Sequence, residues 1–224
     1  MYTKLFFFVL VLFSFLSNLS AQANPQAIFK KQIKAFTKSA QGLYEVRPEG
    51  EDIPEAQRQQ QDLLMFPVDY WNTENDAWFC FIWLSPKFKE KPLEQVFIRL
   101  RYKSEQEMNA TFYTLPNNAN EGLSQEWKKN RPFEKITTDF LTTESLACEG
   151  FIAIDANGTY RMESYQPCPR DTKGAGYTAI QVDTRFYGKA TSSGVKFIAP
   201  DGKVIIEHLH DIRAKKITSS LKKY

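Results

Sequence analysis

Three groups of residues in this 224-residue chain are of types and spacings that chemistry could use. The first is a cysteine pair, Cys148 and Cys168, within CEGFIAIDANGTYRMESYQPCPRDTKGAGY. Asn157-Gly158 between them is a strong hairpin-turn signal, and a hairpin brings its two ends together. In an oxidising compartment such thiols pair. Closing a loop of about 20 residues contributes roughly 3 kcal/mol in the chain-entropy model. The other use of such a cysteine is as a reactive thiol that holds an adduct. The second group is Gln95, Arg99 and Arg101, on one face of the alternating segment 93–103, with Val96, Ile98, Leu100 and Tyr102 on the other. If the apolar face packs outward, the two arginines line an interior and need carboxylates from the protein or from a ligand. If the apolar face is the core, they meet water. The third group is Tyr177, Gln181, Asp183, Arg185 and Tyr187, opposite Thr178, Ile180, Val182 and Phe186. Aromatic rings with a few charges suit a flat, acidic organic ligand. A solvent-facing strand has the same pattern.

Other chemistries find little support. His208 and His210 share a strand face near Glu207 and Asp211. There is no further histidine, so no metal site is expected. No GxSxG, HExxH, P-loop or dinucleotide fingerprint occurs, which argues against hydrolase, kinase and nucleotide-cofactor chemistry, and no cofactor is expected. Basic and acidic residues nearly balance, 29 Lys+Arg against 26 Asp+Glu, which argues against a general nucleic-acid binder. The third cysteine, Cys80, sits in the apolar run AWFCFIWL and reads as a buried thiol.

The elements that position these groups follow from patterning. Lys4, the apolar run Leu5 to Leu16 and the small-x-small site Ala21-Gln22-Ala23 predict a signal peptide over residues 1–23. The run falls short of the ~20 residues that span a bilayer, and no cysteine marks a lipid anchor. The expectation is an exported chain, periplasmic or secreted, with residues 24–224 as a single domain. Phe29, Ile33, Phe36 and Ala40 recur at helical spacing and predict a helix over 26–41. Strands are expected at 42–46, 63–70, 77–84, 93–103 and 110–115, with a short helix near Trp127 and a second helix over 137–147 that turns Phe140, Leu141 and Leu146 inward. Hairpins follow at 149–165 and 191–210, and a strand at 177–187. Many short strands with turn signals and a few flanking helices predict a mainly β, antiparallel barrel or sandwich.

In the same order along the chain stand Gly42-Leu43-Tyr44 after a helix, the aromatic strand Ala77–Leu84, the Pro92–Tyr102 strand, the Cys148–Cys168 hairpin and Gly174-Ala175-Gly176-Tyr177. Together they resemble the CpcT/CpeT family of chromophore lyases, the T-type phycobiliprotein lyases, over the whole of 24–224. The resemblance implies a lipocalin-like barrel with an N-terminal helix, often paired as a homodimer. It implies a bound open-chain tetrapyrrole (bilin) and its delivery to a cysteine of a phycobiliprotein-like acceptor, with no metal or nucleotide. The family's Tyr-x-Glu-Gln reads here as Phe79-Cys80-Phe81-Ile82, and its Pro-Tyr-Arg-Gln-Arg as Pro92-Leu93-Glu94-Gln95-Val96. Beside the lyase stand two other readings: an exported non-catalytic barrel that binds a small hydrophobic or tetrapyrrole-like ligand, and a barrel with a filled core and no cavity.

Overall fold

The computed structural model describes residues 24–48, 61–85, 88–115, 123, 126–129, 131–171 and 176–218. The signal peptide expected over 1–23 and most of the polar stretch 49–62 lie outside these residues, as do Gly174-Ala175 and the side chains of His208 and His210.

Helix α1 runs Pro25–Ala40. Asn24 caps it, accepting the Gln26 N–H at 3.0 Å, and Pro25 takes the first position, where no amide donor is missed. The apolar stripe places Phe29, Phe36 and Ala40 in the core and leaves most of the lysines exposed. Eleven strands follow: β1 (Gly42–Pro48), β2 (Gln61–Pro67), β3 (Ala77–Ser85), β4 (Phe88–Tyr102), β5 (Glu107–Thr114), β6 (Leu146–Ile154), β7 (Tyr160–Ser164), β8 (Cys168–Pro169), β9 (Ala179–Phe186), β10 (Ala190–Ile198) and β11 (Val204–Thr218). Neighbours pair antiparallel in the order β10-β11-β1-β2-β3-β4-β5-β6-β7-β9, and β9 pairs back onto β10. Ten strands thus close on themselves, and β8 adds to β9 beyond the end of β7. The chain is an antiparallel barrel, one of the two architectures its patterning predicts, and it fits the lipocalin-like form that the resemblance implies. The β6–β7 turn has Gly158 at φ 80°, and the β10–β11 turn has Gly202 at φ 85°. Both are left-handed conformations that glycine adopts without strain.

Alternation sorts each strand into an inner and an outer face. The inner face carries one core cluster, including Tyr44, Val46, Leu63, Met65, Phe79, Phe81, Val96, Ile98, Leu100, Phe112, Ile152, Tyr160 and Phe186. Phe36 of α1 enters this cluster and meets Phe79 of β3, Tyr160 of β7 and Phe186 of β9, with ring centroids 5.0, 5.3 and 5.5 Å away. Those strands lie on different sides of the cylinder, so the helix plugs it. The outer face of β1–β5 carries a second cluster: Leu64, Phe66, Trp78, Cys80, Ile82, Phe97 and Tyr113. It is covered by the stretch that bears Trp127, Phe133, Ile136 and Leu141. Two-sided burial explains why β2 and β3 read as unbroken apolar runs rather than alternating ones.

That covering stretch differs in several details from the expected helices near Trp127 and over 137–147. Helix α2 spans only Thr138–Glu144, and Thr137 caps it by accepting the Phe140 N–H at 3.1 Å. Leu141 is buried, Phe140 is 38% exposed, and Leu146 already belongs to β6. Near Trp127 the expected short helix is a single 3-10 turn, Glu126–Lys128. Cys148 and Cys168 form a disulfide with Cα atoms 5.2 Å apart, tying β6 to β8. This is compatible with an oxidising compartment. Cys80 is fully buried as a free thiol, and burial pushes its pKa well up.

Candidate functional site

The two ends of the cylinder differ. At one end α1 lies across the β4–β5 turn, where the Gln32 amide donates to the carbonyls of Ser104 and Glu105 at 2.7 and 2.9 Å. The last carbonyls of α1 are satisfied as well. Tyr44 donates to Ala40 O at 2.9 Å, and Lys216 Nζ donates to Ser39 O at 2.6 Å while lying 5.2 Å from the centre of the Tyr44 ring. Aromatic rings and helix fill this end.

At the other end the inward positions are only part-buried. Trp83 of β3, Glu94 of β4, Val182 of β9 and Val195 and Phe197 of β10 all alternate with core residues, yet none is fully buried. Inward side chains thus still meet solvent at this end of the barrel, here called the cup. Tyr177, just before β9, packs edge-on against Phe197 with ring centroids 4.8 Å apart. The Cys148–Cys168 disulfide forms part of the wall, buried in the inner cluster. Arg170, two residues beyond Cys168, is anchored by its own N–H donating to Thr178 O at 2.8 Å. Its guanidinium donates from Nη1 to Pro169 O at 3.0 Å and places Nε 2.7 Å from Glu94 Oε1. β4 and β8 are not neighbours in the sheet, so this ion pair crosses the interior like a bar. The Arg170 side chain is 9% exposed and that of Glu94 30%. Burial, and then the Glu94 carboxylate, raise the Tyr177 pKa, with Arg170 opposing them, so Tyr177 stays a protonated phenol and a hydrogen-bond donor. Deeper in the interior, Thr184 and Ser193 share a hydrogen bond of 2.9 Å, and the buried hydroxyls of Thr114 and Ser164 have no hydrogen-bond partner among the described residues.

Of the ligand-binding residues expected from sequence, Tyr177 lies against the inward-facing Phe197, whereas Gln95, Arg99, Arg101, Asp183 and Arg185 do not face the interior. The apolar face of β4 is the core face, so Gln95, Arg99 and Arg101 point outward. Gln95 is fully buried there, on the outer face with Ile82 and Phe97. Arg99 grips Asp76 with Nε and Nη2, each at 2.7 Å, and lies 5.7 Å from the centre of the Trp78 ring. Arg101 Nε donates to the same carboxylate at 2.9 Å. The carboxylate these arginines need is therefore supplied by the loop before β3. Burial alone would raise the Asp76 pKa, but hydrogen bonds and charge from Arg99 and Arg101 outweigh it and hold the carboxyl below its usual range. Asp183 and Arg185 lie on the outer face of β9, where Asp183 meets Arg161 at 3.4 Å and Arg185 at 4.0 Å. Among the described residues no group of three or more His, Cys, Asp or Glu side chains is placed to hold a metal ion.

Sequence reasoning missed Glu94, Arg170, Trp83 and Phe197. Glu94 carries a signal of its own: it is a charged residue in phase with Val96, Ile98 and Leu100, at the end of an otherwise apolar face. Arg170 carries none, because its direction is set by a disulfide and a two-residue strand.

No family model matches the sequence, and no curated protein matches it. Among solved structures, the selenomethionine form of the CRL protein of Arabidopsis is similar in fold. Its TM-score is 0.54 at 11% sequence identity, covering 83% of this chain and 97% of that one. At that identity the likeness concerns the barrel alone.

Proposed function

We propose that this chain is an exported binding barrel whose cup takes a flat, largely apolar organic acid, with an open-chain tetrapyrrole as the candidate that the sequence resemblance supplies. The observation that carries this reading is Arg170, a nearly buried guanidinium at the end of the barrel away from α1, where Trp83, Tyr177 and Phe197 are only part-buried. Aromatic walls supply apolar contact area, and one oriented charge fixes the acid. A charge-assisted hydrogen bond contributes roughly 1.5–3 kcal/mol, about ten- to a hundredfold in affinity. Titration of the purified protein with biliverdin, followed by the shift of its visible band, tests the reading. Arg170→Met should weaken binding at least tenfold, and Arg99→Ala and Arg101→Ala should leave it unchanged. Unchanged affinity in Arg170→Met overturns the assignment of the site, and no band shift in the parent protein leaves the filled-barrel reading.

A second reading, transfer of the bound bilin to a cysteine of an acceptor protein, is favoured by Tyr177. A thiol adding across the pigment's ethylidene double bond forms one carbon–sulfur bond, and its proton ends on the pigment, with no oxidant consumed. A protonated phenol at the mouth is placed to assist that proton's movement. Incubation with phycocyanobilin and an acceptor bearing a reduced cysteine should then give colour that survives denaturation. Colour lost on denaturation leaves binding without transfer.

A further inference from the structure

The contact between Arg170 and Glu94 has two properties that an ordinary structural ion pair lacks. It joins β4 to the residue that follows β8, elements that are not neighbours in the sheet, so it crosses the end of the barrel away from α1. Moreover, at 2.7 Å it is close but poorly aligned. Arg170 Nε and Glu94 Oε1 are both screened from solvent, and neither has an aligned hydrogen-bond partner among the described residues. The guanidinium is nearly buried and the carboxylate only partly so, and the missing aligned hydrogen bond leaves the desolvation of Arg170 incompletely offset. Net charge at the bar is zero, so a second carboxylate cannot join Arg170 without an unbalanced negative charge beside Glu94.

We infer that Glu94 is the specificity-determining residue of the cup: it is a built-in stand-in for the ligand's carboxylate, held on Arg170 until an organic acid displaces it. This rests on the binding reading above. Glu94 is more exposed than Arg170, so it is the partner that can swing to water while the arginine stays to receive the acid. The bar thereby sets a threshold: carboxylates that offer Arg170 a better-aligned, bidentate contact get in, and weaker anions do not.

The test uses biliverdin and its dimethyl ester on the full mature chain. Glu94→Gln removes the competing charge with little change of shape. It should bind biliverdin about tenfold more tightly than the parent and bind the ester with unchanged affinity. Glu94→Asp keeps the charge but shortens its reach to Arg170, and should tighten acid binding by a smaller factor, which also serves if the glutamine variant folds poorly. Equal effects on acid and ester, or weaker acid binding in both variants, overturn the inference while leaving the binding reading in place. A parent protein that binds neither biliverdin nor ester overturns the binding reading itself, and the inference with it.

Discussion

The plugged end of the barrel and the cup end are built from the same strands, and they spend their side chains differently. At the plug, the inward positions are mostly apolar or aromatic, and α1's carbonyls find donors in Tyr44 and Lys216. At the cup, inward positions include a carboxylate, a guanidinium, a phenol and part-exposed rings. The plug is organised for close packing, and the cup leaves a misaligned ion pair where a filled core would have leucine. The contrast assigns stability to one end and recognition to the other, and four measurements can break it.

The largest effect belongs to the plug. Phe36→Ala empties a site surrounded by Phe79, Tyr160 and Phe186, and should cost about 3–5 kcal/mol in urea unfolding. A loss below about 1 kcal/mol would show that the helix is dispensable. Next comes the disulfide. Replacing Cys148 and Cys168 by serine should cost roughly 3 kcal/mol. Because Arg170 follows Cys168 so closely, ligand affinity should fall even in buffer where the variant is fully folded; retained affinity would separate staple from site. At the bar, Arg170→Met should cost on the order of 1–2 kcal/mol by stranding Glu94, a figure reduced for the partial exposure of the carboxylate. The Arg170→Met, Glu94→Gln double variant should recover most of it, and a double variant no more stable than the single one would remove the bar from the ledger.

The smallest effect is outside the barrel, at Asp76. Its folded carboxyl titrates below the unfolded value of 3.8. Its contribution is therefore fully present above that pH and lost as pH falls through the folded value. Asp76→Asn should cost about 1 kcal/mol at pH 7, since Arg101 is half exposed. The parent and variant curves should converge in acid. A gap that persists well below the carboxylate range would mean that the asparagine disturbs packing rather than charge.

These contrasts also show what patterning could reveal. Periodicity located α1, most strands and both Asn-Gly and Asp-Gly turns, because each depends on neighbours in sequence. It could not say which face of β4 looks inward. That depends on the stretch bearing Phe133 and Leu141, which covers Phe97 and Gln95 and so makes both faces of the strand buried. Arg99 and Arg101 looked like ligand contacts until Asp76, 23 residues before Arg99, supplied their carboxylate. Tyr177 was legible as an aromatic beside a turn. Arg170 was not, because only the disulfide and the pairing of β8 with β9 aim it across the mouth. Local signals specify elements, whereas a site assembled across a cylinder is specified by contacts between strands far apart in sequence.

The pairing of β1 with β11 has a consequence for how the molecule comes into being. β1 is made long before β11, so until β11 emerges the growing sheet stays open, with β1 and β10 as bare edges. Edges of that kind recruit strands from other molecules, and pairing strands far apart in sequence slows folding. The helix is in the same position, since Phe36 must wait for Phe186 before its pocket exists. Losing Val204–Thr218 would therefore not yield a smaller cylinder. It would leave β1 and β10 as two unpaired margins, and the cylinder without the strand that closes it.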